Sequence, residues 1–282
     1  GCRPGPLGND GIFMKRTALV FTAPGQVRLA EEELAGPAPD QVQVHSLMSA
    51  ISTGTEMLVY RGQLPDDLKL DESIPELQQK SAYPFKYGYS LVGRVSATGQ
   101  EVASDWMDRL VFAFHPHESA FNASPQSLIP LPQGVAVEDA VFLANMETAV
   151  NLLMDGQPRI GERVAVFGQG IVGLLTTALL AYFPLAQLTS FEPLPARRQA
   201  SLAAGAHASV DPSETGMPAR AFPDGADLTY ELSGSPPALD QAIAGTGYAG
   251  RVVVGSWYGA KRVNLDLGGR FHRSRIQLLG SQ

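Results

Sequence analysis

The sequence predicts an α/β protein in two parts, a β-rich N-terminal part followed by a doubly wound parallel sheet. Three observations predict this. Short apolar runs separated by turn residues fill the first half. Beyond residue 163, apolar strand-like runs alternate with helical segments at intervals of roughly 20 to 30 residues, the rhythm of a parallel sheet with covering helices. A glycine-rich turn, Gly168-Gln169-Gly170-Ile171-Val172-Gly173, joins the first of these strands to the first of these helices.

Taken in order, residues 17–23, 41–50, 89–99, 109–116 and 126–132 read as strands, being short, apolar and bounded by turn signals. Residues 66–88 are polar and broken by proline, and read as a long surface loop. Residues 163–168 form a continuous apolar run, as suits a strand covered on both faces. Residues 171–183 are apolar on nearly every side, as suits a buried helix. Strands follow at 187–192, 208–210, 227–234, 250–257 and 275–281, with helices at 195–206 and 236–245. The two parts divide near residue 150, giving 14–150 and 151–282. Residues 1–13 show no periodicity, and a tag or other non-native leader is expected there, with Met14 as the natural start. The final run stops within a strand-like pattern, so the second part is expected to be truncated at its C-terminus.

Bulk properties narrow the function. Hydrophobic residues make up 44% of the 282 residues and charged residues 17%, a balance that supports a packed core. The net charge of −7 offers nothing to a polyanion, which argues against nucleic acid. The one cysteine, Cys2, excludes a disulfide framework and a cysteine-rich metal site. No apolar run approaches the ~20 residues needed to cross a bilayer, so no membrane partner is expected. No basic region followed by a long apolar stretch opens the chain, and a cytoplasmic location is the expectation.

The glycine-rich turn fits G-x-G-x-x-G in the context that gives the pattern meaning, directly after a strand and opening a helix. Gly168 permits the tight turn, Gly170 lets a pyrophosphate approach the backbone, and Gly173 lets helix and strand pack closely. Ile171 and Val172 open the helix, whose N-terminus offers N–H groups to the phosphates. The next strand ends in Glu192, about 20 residues beyond the last glycine, where a carboxylate accepts hydrogen bonds from the adenosine ribose. Glu192 favours NAD, because a carboxylate repels a 2′-phosphate. Arg197 and Arg198 keep NADP open as the alternative, since either they clamp that phosphate or they are solvated helix residues, with Arg197 over the adenine.

With these residues in place, the chain from 14 to 282 resembles the medium-chain dehydrogenase/reductases. The resemblance rests on the β-rich part followed by "GERVAVFGQGIVGLL" and "LSGSPPALDQAIAGTGYAGRVVVGSWYG". The segments "SAISTGTEMLVYRG", "YGYSLVGRV" and "GSWYG" are similar to the bacteriochlorophyllide (hydroxyethyl) dehydrogenase-like branch. The resemblance implies a GroES-like domain carrying the catalytic groups, a Rossmann domain carrying the cofactor, and a small-molecule substrate in the cleft between them. It also implies a homodimer, because related enzymes pair the edge of this sheet across a two-fold axis.

The resemblance fails at the metal. Zinc-dependent members ligate catalytic zinc through a cysteine in an early "G-I-C-x-T-D" segment, a histidine in "G-H-E", and a cysteine or acidic residue before the Rossmann domain. Here these positions fall on Ser52, on Tyr89 and near Ala144. The four cysteines of the structural zinc site are also missing. Zinc needs about four donors, or three and a water, so a zinc-independent enzyme with no metal is expected. His115 and His117, with Glu118 adjacent, are the place to look for a substitute metal site, and without a third convergent donor they read as a loop histidine pair.

A hydroxyl or imidazole must then do what zinc does, or the substrate must be a conjugated alkene. Tyr89 either donates to a substrate oxygen or forms an aromatic wall. Ser52 and Thr55 either bind a substrate oxygen or cap the backbone of the Gly54 turn. Glu56 matches an acidic position that orients neighbouring groups in the family, and His117 is a candidate proton relay. Thr148 matches a family residue that packs on the nicotinamide. Ser233 and Gly234, and then Gly255, Ser256, Trp257 and Tyr258, follow strand ends and are expected to line the cofactor cleft. The expected function is hydride transfer between nicotinamide and an alcohol or carbonyl. The alternatives are a quinone- or enone-type reductase, and a dinucleotide-binding protein without turnover.

Overall fold

The computed structural model describes residues 13–64 and 82–282. Most of the loop expected at 66–88, and the expected leader up to residue 12, lie outside the described residues. Contacts divide the chain into two compact units, with the main break between Leu143 and Ala144.

The first unit begins with β1 (Met14–Ala23) and β2 (Gln26–Leu34), an antiparallel pair joined by a tight turn in which Gly25 takes φ +75°. The sequence reading did not include β2. Only Ala30 and Leu34 of its nine residues are buried, so the alternation that marks a strand is almost absent. Next come β3 (Val42–Ser49), the short helix α1 (Thr55–Tyr60), β4 (Leu91–Thr98), β5 (Leu110–Ala113), β6 (Ala120–Ala123) and β7 (Leu128–Pro130). These strands form an antiparallel sheet in the order β6-β3-β4-β5-β7, with Val42, Val44, Leu91, Val95, Val111 and Phe121 as its core. The strand expected at 109–116 ends at Ala113, and Glu118 then bridges to Ala18 of β1. A second cluster, Phe21, Val59, Phe85 and Tyr87, pins α1. The short helix α2 (Val137–Ala140) closes the unit.

The second unit opens with α3 (Leu143–Gly156), a helix the sequence reading did not include. It continues with β8 (Arg163–Phe167), α4 (Ile171–Leu180), β9 (Gln187–Phe191), α5 (Pro195–Ala203), β10 (Ala208–Val210), β11 (Ala226–Glu231), α6 (Pro236–Gly245), β12 (Thr246–Val254) and β13 (Gln277–Gly280). The six strands are all parallel, in the order β10-β9-β8-β11-β12-β13. Successive side chains of β8 feed opposite faces. Val164 and Val166 pack with Leu152, Leu180, Leu188 and Tyr230, while Ala165 and Phe167 pack with Phe191, Leu239 and Ile243. Two covered faces are why these strands read as unbroken apolar runs. The strand order reverses direction between β8 and β11, and in such sheets ligands bind outside the carboxyl ends at that reversal.

Candidate functional site

The turn from β8 to α4 shows which glycines the fold itself requires. Gly168 sits at φ +87°, and a Cβ there would lie 2.7 Å from the backbone of Ser233. A Cβ on Gly173 would lie 2.0 Å from the carbonyl oxygen of Gly168. Neither position admits a side chain. Gly170, the residue that caps α4, is different. Its φ is −70°, which any residue adopts, and among the described residues nothing lies within 4 Å of a Cβ built there. The space in front of Gly170 is therefore open, at the N-terminus of α4. Between these glycines Gln169 is fully buried, its amide donating to the Gly168 carbonyl and its carbonyl oxygen accepting from Thr177 at 3.1 Å.

Glu192 follows β9 beside this turn and is only 3% exposed. One carboxylate oxygen accepts from the Gln169 N–H at 2.8 Å and the other from the Leu194 N–H at 3.0 Å. The two arginines of α5 part company. Arg198 donates to the carbonyls of Glu192 and Pro193 and pairs with Asp211, so it is engaged in holding the loop. Arg197 extends beside Glu192, 3.8 Å from its carboxylate.

The loops after β11 and β12 are tied together. Glu231, fully buried, accepts from the Ser233 N–H at 2.8 Å, from the Ser233 hydroxyl, and from the Tyr258 phenol at 2.8 Å. Ser256 accepts from the Gly234 N–H, and Lys261 donates to the Gly234 carbonyl. Trp257 is exposed. Gly255 is accounted for by packing, because a Cβ there would meet Leu152 and Leu232. The Thr148 hydroxyl bonds back to the Ala144 carbonyl within α3, so its methyl group is what it has left to present. Sequence reasoning missed Glu231, since an acid ending a strand carries no sign of being buried.

The first unit brings together residues that lie far apart in sequence. His117 is buried, with Nε2 2.9 Å from the Glu56 carboxylate and Nδ1 2.8 Å from the exposed Ser49 hydroxyl. The other oxygen of Glu56 accepts from the Ser52 N–H, and the Glu56 N–H donates to the Ser52 carbonyl, a reciprocal pair that fixes the start of α1. The His117 carbonyl accepts from Leu19 of β1. A Cβ on Gly88, which takes φ +142°, would lie 2.9 Å from the His117 ring, so the residue before Tyr89 must be bare to admit the imidazole. Tyr89 packs against the Phe21–Phe85 cluster, edge-on to Tyr87. Thr55 opens α1.

The two histidines of the expected loop pair do not converge. His115 stacks on Phe121 and bonds Glu118 at 3.0 Å, whereas His117 turns to Glu56 and Ser49. Glu118 is also held by Arg16 and Lys86. Burial alone would raise its carboxyl, but the hydrogen bonds from His115 and Lys86 outweigh that and hold it below the usual carboxylate range. Among the described residues no three His, Cys, Asp or Glu side chains form a group that could hold a metal ion. A cavity of about 320 Å³ at the amino ends of β8, β11 and β12 is lined by Glu162, Asp227 and Arg251, whose charges pair with neighbours.

Comparison with known proteins follows the same lines. No family model matches the chain. It is 26% identical to the (R,R)-butanediol dehydrogenase of Bacillus subtilis, over 81% of the chain and 73% of that protein. It is 23% identical to the 2-desacetyl-2-hydroxyethyl bacteriochlorophyllide A dehydrogenase of Cereibacter sphaeroides, over 87% of the chain and 75% of that protein. Among solved structures, an alcohol dehydrogenase from Escherichia coli CFT073 complexed with NADH superposes with a TM-score of 0.77 at 18% identity, covering 95% of this chain and 83% of that one. A zinc-binding-type dehydrogenase from Sinorhizobium meliloti bound to NADP gives 0.78 at 17%, covering 95% and 84%. These likenesses establish the fold, a GroES-like antiparallel part and a Rossmann sheet.

Proposed function

We propose that this relative of the zinc-type medium-chain alcohol dehydrogenases is an NAD(P)-dependent oxidoreductase that moves hydride between nicotinamide and an alcohol or carbonyl carbon without a metal ion. The observation that carries the reading is the contrast among the three glycines. The fold requires Gly168 and Gly173, while among the described residues nothing lies close enough to require Gly170. A phosphate approaching the backbone at a helix N-terminus accounts for the third.

The N–H groups of Ile171 and Val172 would hold the pyrophosphate, and Glu192 the adenosine ribose, with Arg197 alongside. Ser233, Gly255, Trp257 and the Thr148 methyl would border the nicotinamide half. Bound there, the nicotinamide supplies or accepts hydride, and positioning and proton transfer fall to side chains. NAD is preferred to NADP in this reading, because a 2′-phosphate would meet the Glu192 carboxylate while Arg198 is committed to backbone carbonyls.

Proton transfer is assigned to His117. With neutral imidazole donating from Nε2 to Glu56, Nδ1 accepts from the Ser49 hydroxyl, and Ser49 is exposed to solvent. Tyr89, Ser52 and Thr55 are the hydroxyls assigned to the substrate oxygen. Metal independence in this reading rests on the residues at the positions where the family holds zinc, Ser52, Tyr89 and Ala144, none of which offers a thiolate, imidazole or carboxylate. A cytoplasmic homodimer is part of the same reading. Among the described residues β13 stands at one edge of the parallel sheet, and no helix is long and apolar enough to cross a membrane. The test is oxidation of a saturated secondary alcohol, such as butane-2,3-diol, with NAD in the presence of a chelator. NADH formation supports the reading, while reduction of enones alone favours the enone-type reductase.

A further inference from the structure

We infer that Glu231 is a positioning residue that sets the two loops receiving the nicotinamide half of the dinucleotide, so that affinity for NADH depends on it and affinity for ADP does not. The inference rests on the dinucleotide reading of the second unit.

Strand order gives the direction. The phosphate turn follows β8 and the ribose-binding Glu192 follows β9. A dinucleotide with its adenosine over β9 and its pyrophosphate at α4 runs on in the opposite sense, over the ends of β11 and β12. The chain there is Ser233–Gly234 after β11 and Gly255–Tyr258 after β12.

Glu231 binds both loops at once. Its carboxylate takes the Ser233 N–H, the Ser233 hydroxyl and the Tyr258 phenol. Its main-chain carbonyl takes the Gly255 N–H at 3.1 Å and the Ser256 hydroxyl at 3.3 Å. Ser256 in turn accepts from Gly234, and the Ser233 hydroxyl accepts from the Ser235 N–H at 3.1 Å. The donors to the carboxylate are a backbone N–H and two hydroxyls, all neutral. A fully buried carboxylate met only by neutral donors is an expensive way to fasten two loops, unless their placement matters. Burial and the neighbouring Glu231 charge push the Tyr258 phenol upward, so it remains a protonated donor. Gly234, at φ +63°, completes the loop, its N–H held by Ser256 and its carbonyl by Lys261.

The experiment is calorimetric titration of NADH and of ADP into wild type, Glu231→Ala, Glu231→Gln and Tyr258→Phe, with a melting curve on each. Losing hydrogen bonds to a buried charged group is worth about tenfold or more in affinity. Glu231→Ala should therefore weaken NADH about tenfold or more and leave ADP within about twofold. Glu231→Gln keeps an acceptor for Ser233 and a partner for the phenol, and should recover most of the NADH affinity. Tyr258→Phe removes one end of the tie without removing the buried acid, and should weaken NADH alone by a few-fold, which carries the test if the alanine variant does not fold. Equal weakening of NADH and ADP, or NADH binding unchanged in both Glu231→Ala and Tyr258→Phe, overturns the role of Glu231. Wild type that binds neither nucleotide overturns the dinucleotide reading beneath it.

Discussion

His117 and Glu56 lie 61 positions apart in the sequence and 2.9 Å apart in the structure, both buried, with the Ser49 hydroxyl on the far side of the ring. Glu56 fixes the start of α1 with one oxygen and holds the imidazole with the other. Loss of the histidine should thus separate chemistry from cofactor binding. With an alcohol that the protein oxidises, His117→Asn should lower kcat by about 100-fold or more, the usual worth of a general acid–base group. The dissociation constant for NADH should stay within about twofold, since the residues proposed to bind it lie in the other unit. Unchanged kcat would remove His117 from the chemistry.

The glycines of the β8–α4 turn should respond oppositely to alanine. Gly173→Ala places a Cβ against the Gly168 carbonyl and should cost about 2–3 kcal/mol of stability, read as a lower urea midpoint. Gly170→Ala meets nothing and should melt like wild type, yet lose most of its NADH affinity. A Gly170→Ala protein that binds NADH normally would detach the fingerprint from phosphate binding.

Cofactor choice should follow Glu192. Glu192→Ala should weaken NADH and improve NADPH, narrowing the ratio of their dissociation constants by about tenfold. Arg198→Ala should act mainly on stability, because that side chain holds the Glu192 and Pro193 carbonyls. A ratio that does not move in Glu192→Ala would place the 2′ position elsewhere.

Acid should weaken the first unit through Glu118 and Glu32. The Lys86 hydrogen bond, with Arg16 adding to it, depresses the Glu32 carboxyl; burial raises the Glu118 carboxyl, but hydrogen bonds from His115 and then Lys86 outweigh it and hold it low. A depressed folded-state pKa contributes stability above the unfolded value of about 4.3, and that stability is lost as pH falls through the folded value. Urea midpoints measured from pH 7 down to about pH 3 should therefore fall steeply below about pH 4.5, and Glu118→Gln should flatten that fall while lowering the midpoint at pH 7. An equal slope in the variant would contradict the assignment.

Some of this was legible in the chain and some was not. Unbroken apolar runs such as 163–168 announce strands covered on both faces, and the parallel order of the second unit follows from their alternation with helices. The fingerprint glycines carry backbone requirements that act over a few residues, so spacing reveals them. The strand β2 stayed hidden because water faces nearly all of it and its pairing with β1, not its own pattern, makes it a strand. The same holds for the sites. Glu56, His117 and Ser49 meet through tertiary packing on three separate segments, and no local period encodes that meeting. Glu231 reads as an ordinary acid at the end of a strand until its burial and its three donors are seen.

The central claim is that this protein binds a nicotinamide dinucleotide and works without zinc, and one titration addresses both halves. NADH and NADPH are added to the protein while nicotinamide fluorescence is followed, with metal content assayed on the same sample. The account predicts saturable binding with NADH tighter than NADPH, and zinc far below one equivalent per chain. Absence of binding by either nucleotide, or a full equivalent of zinc whose removal abolishes binding or turnover, would contradict it.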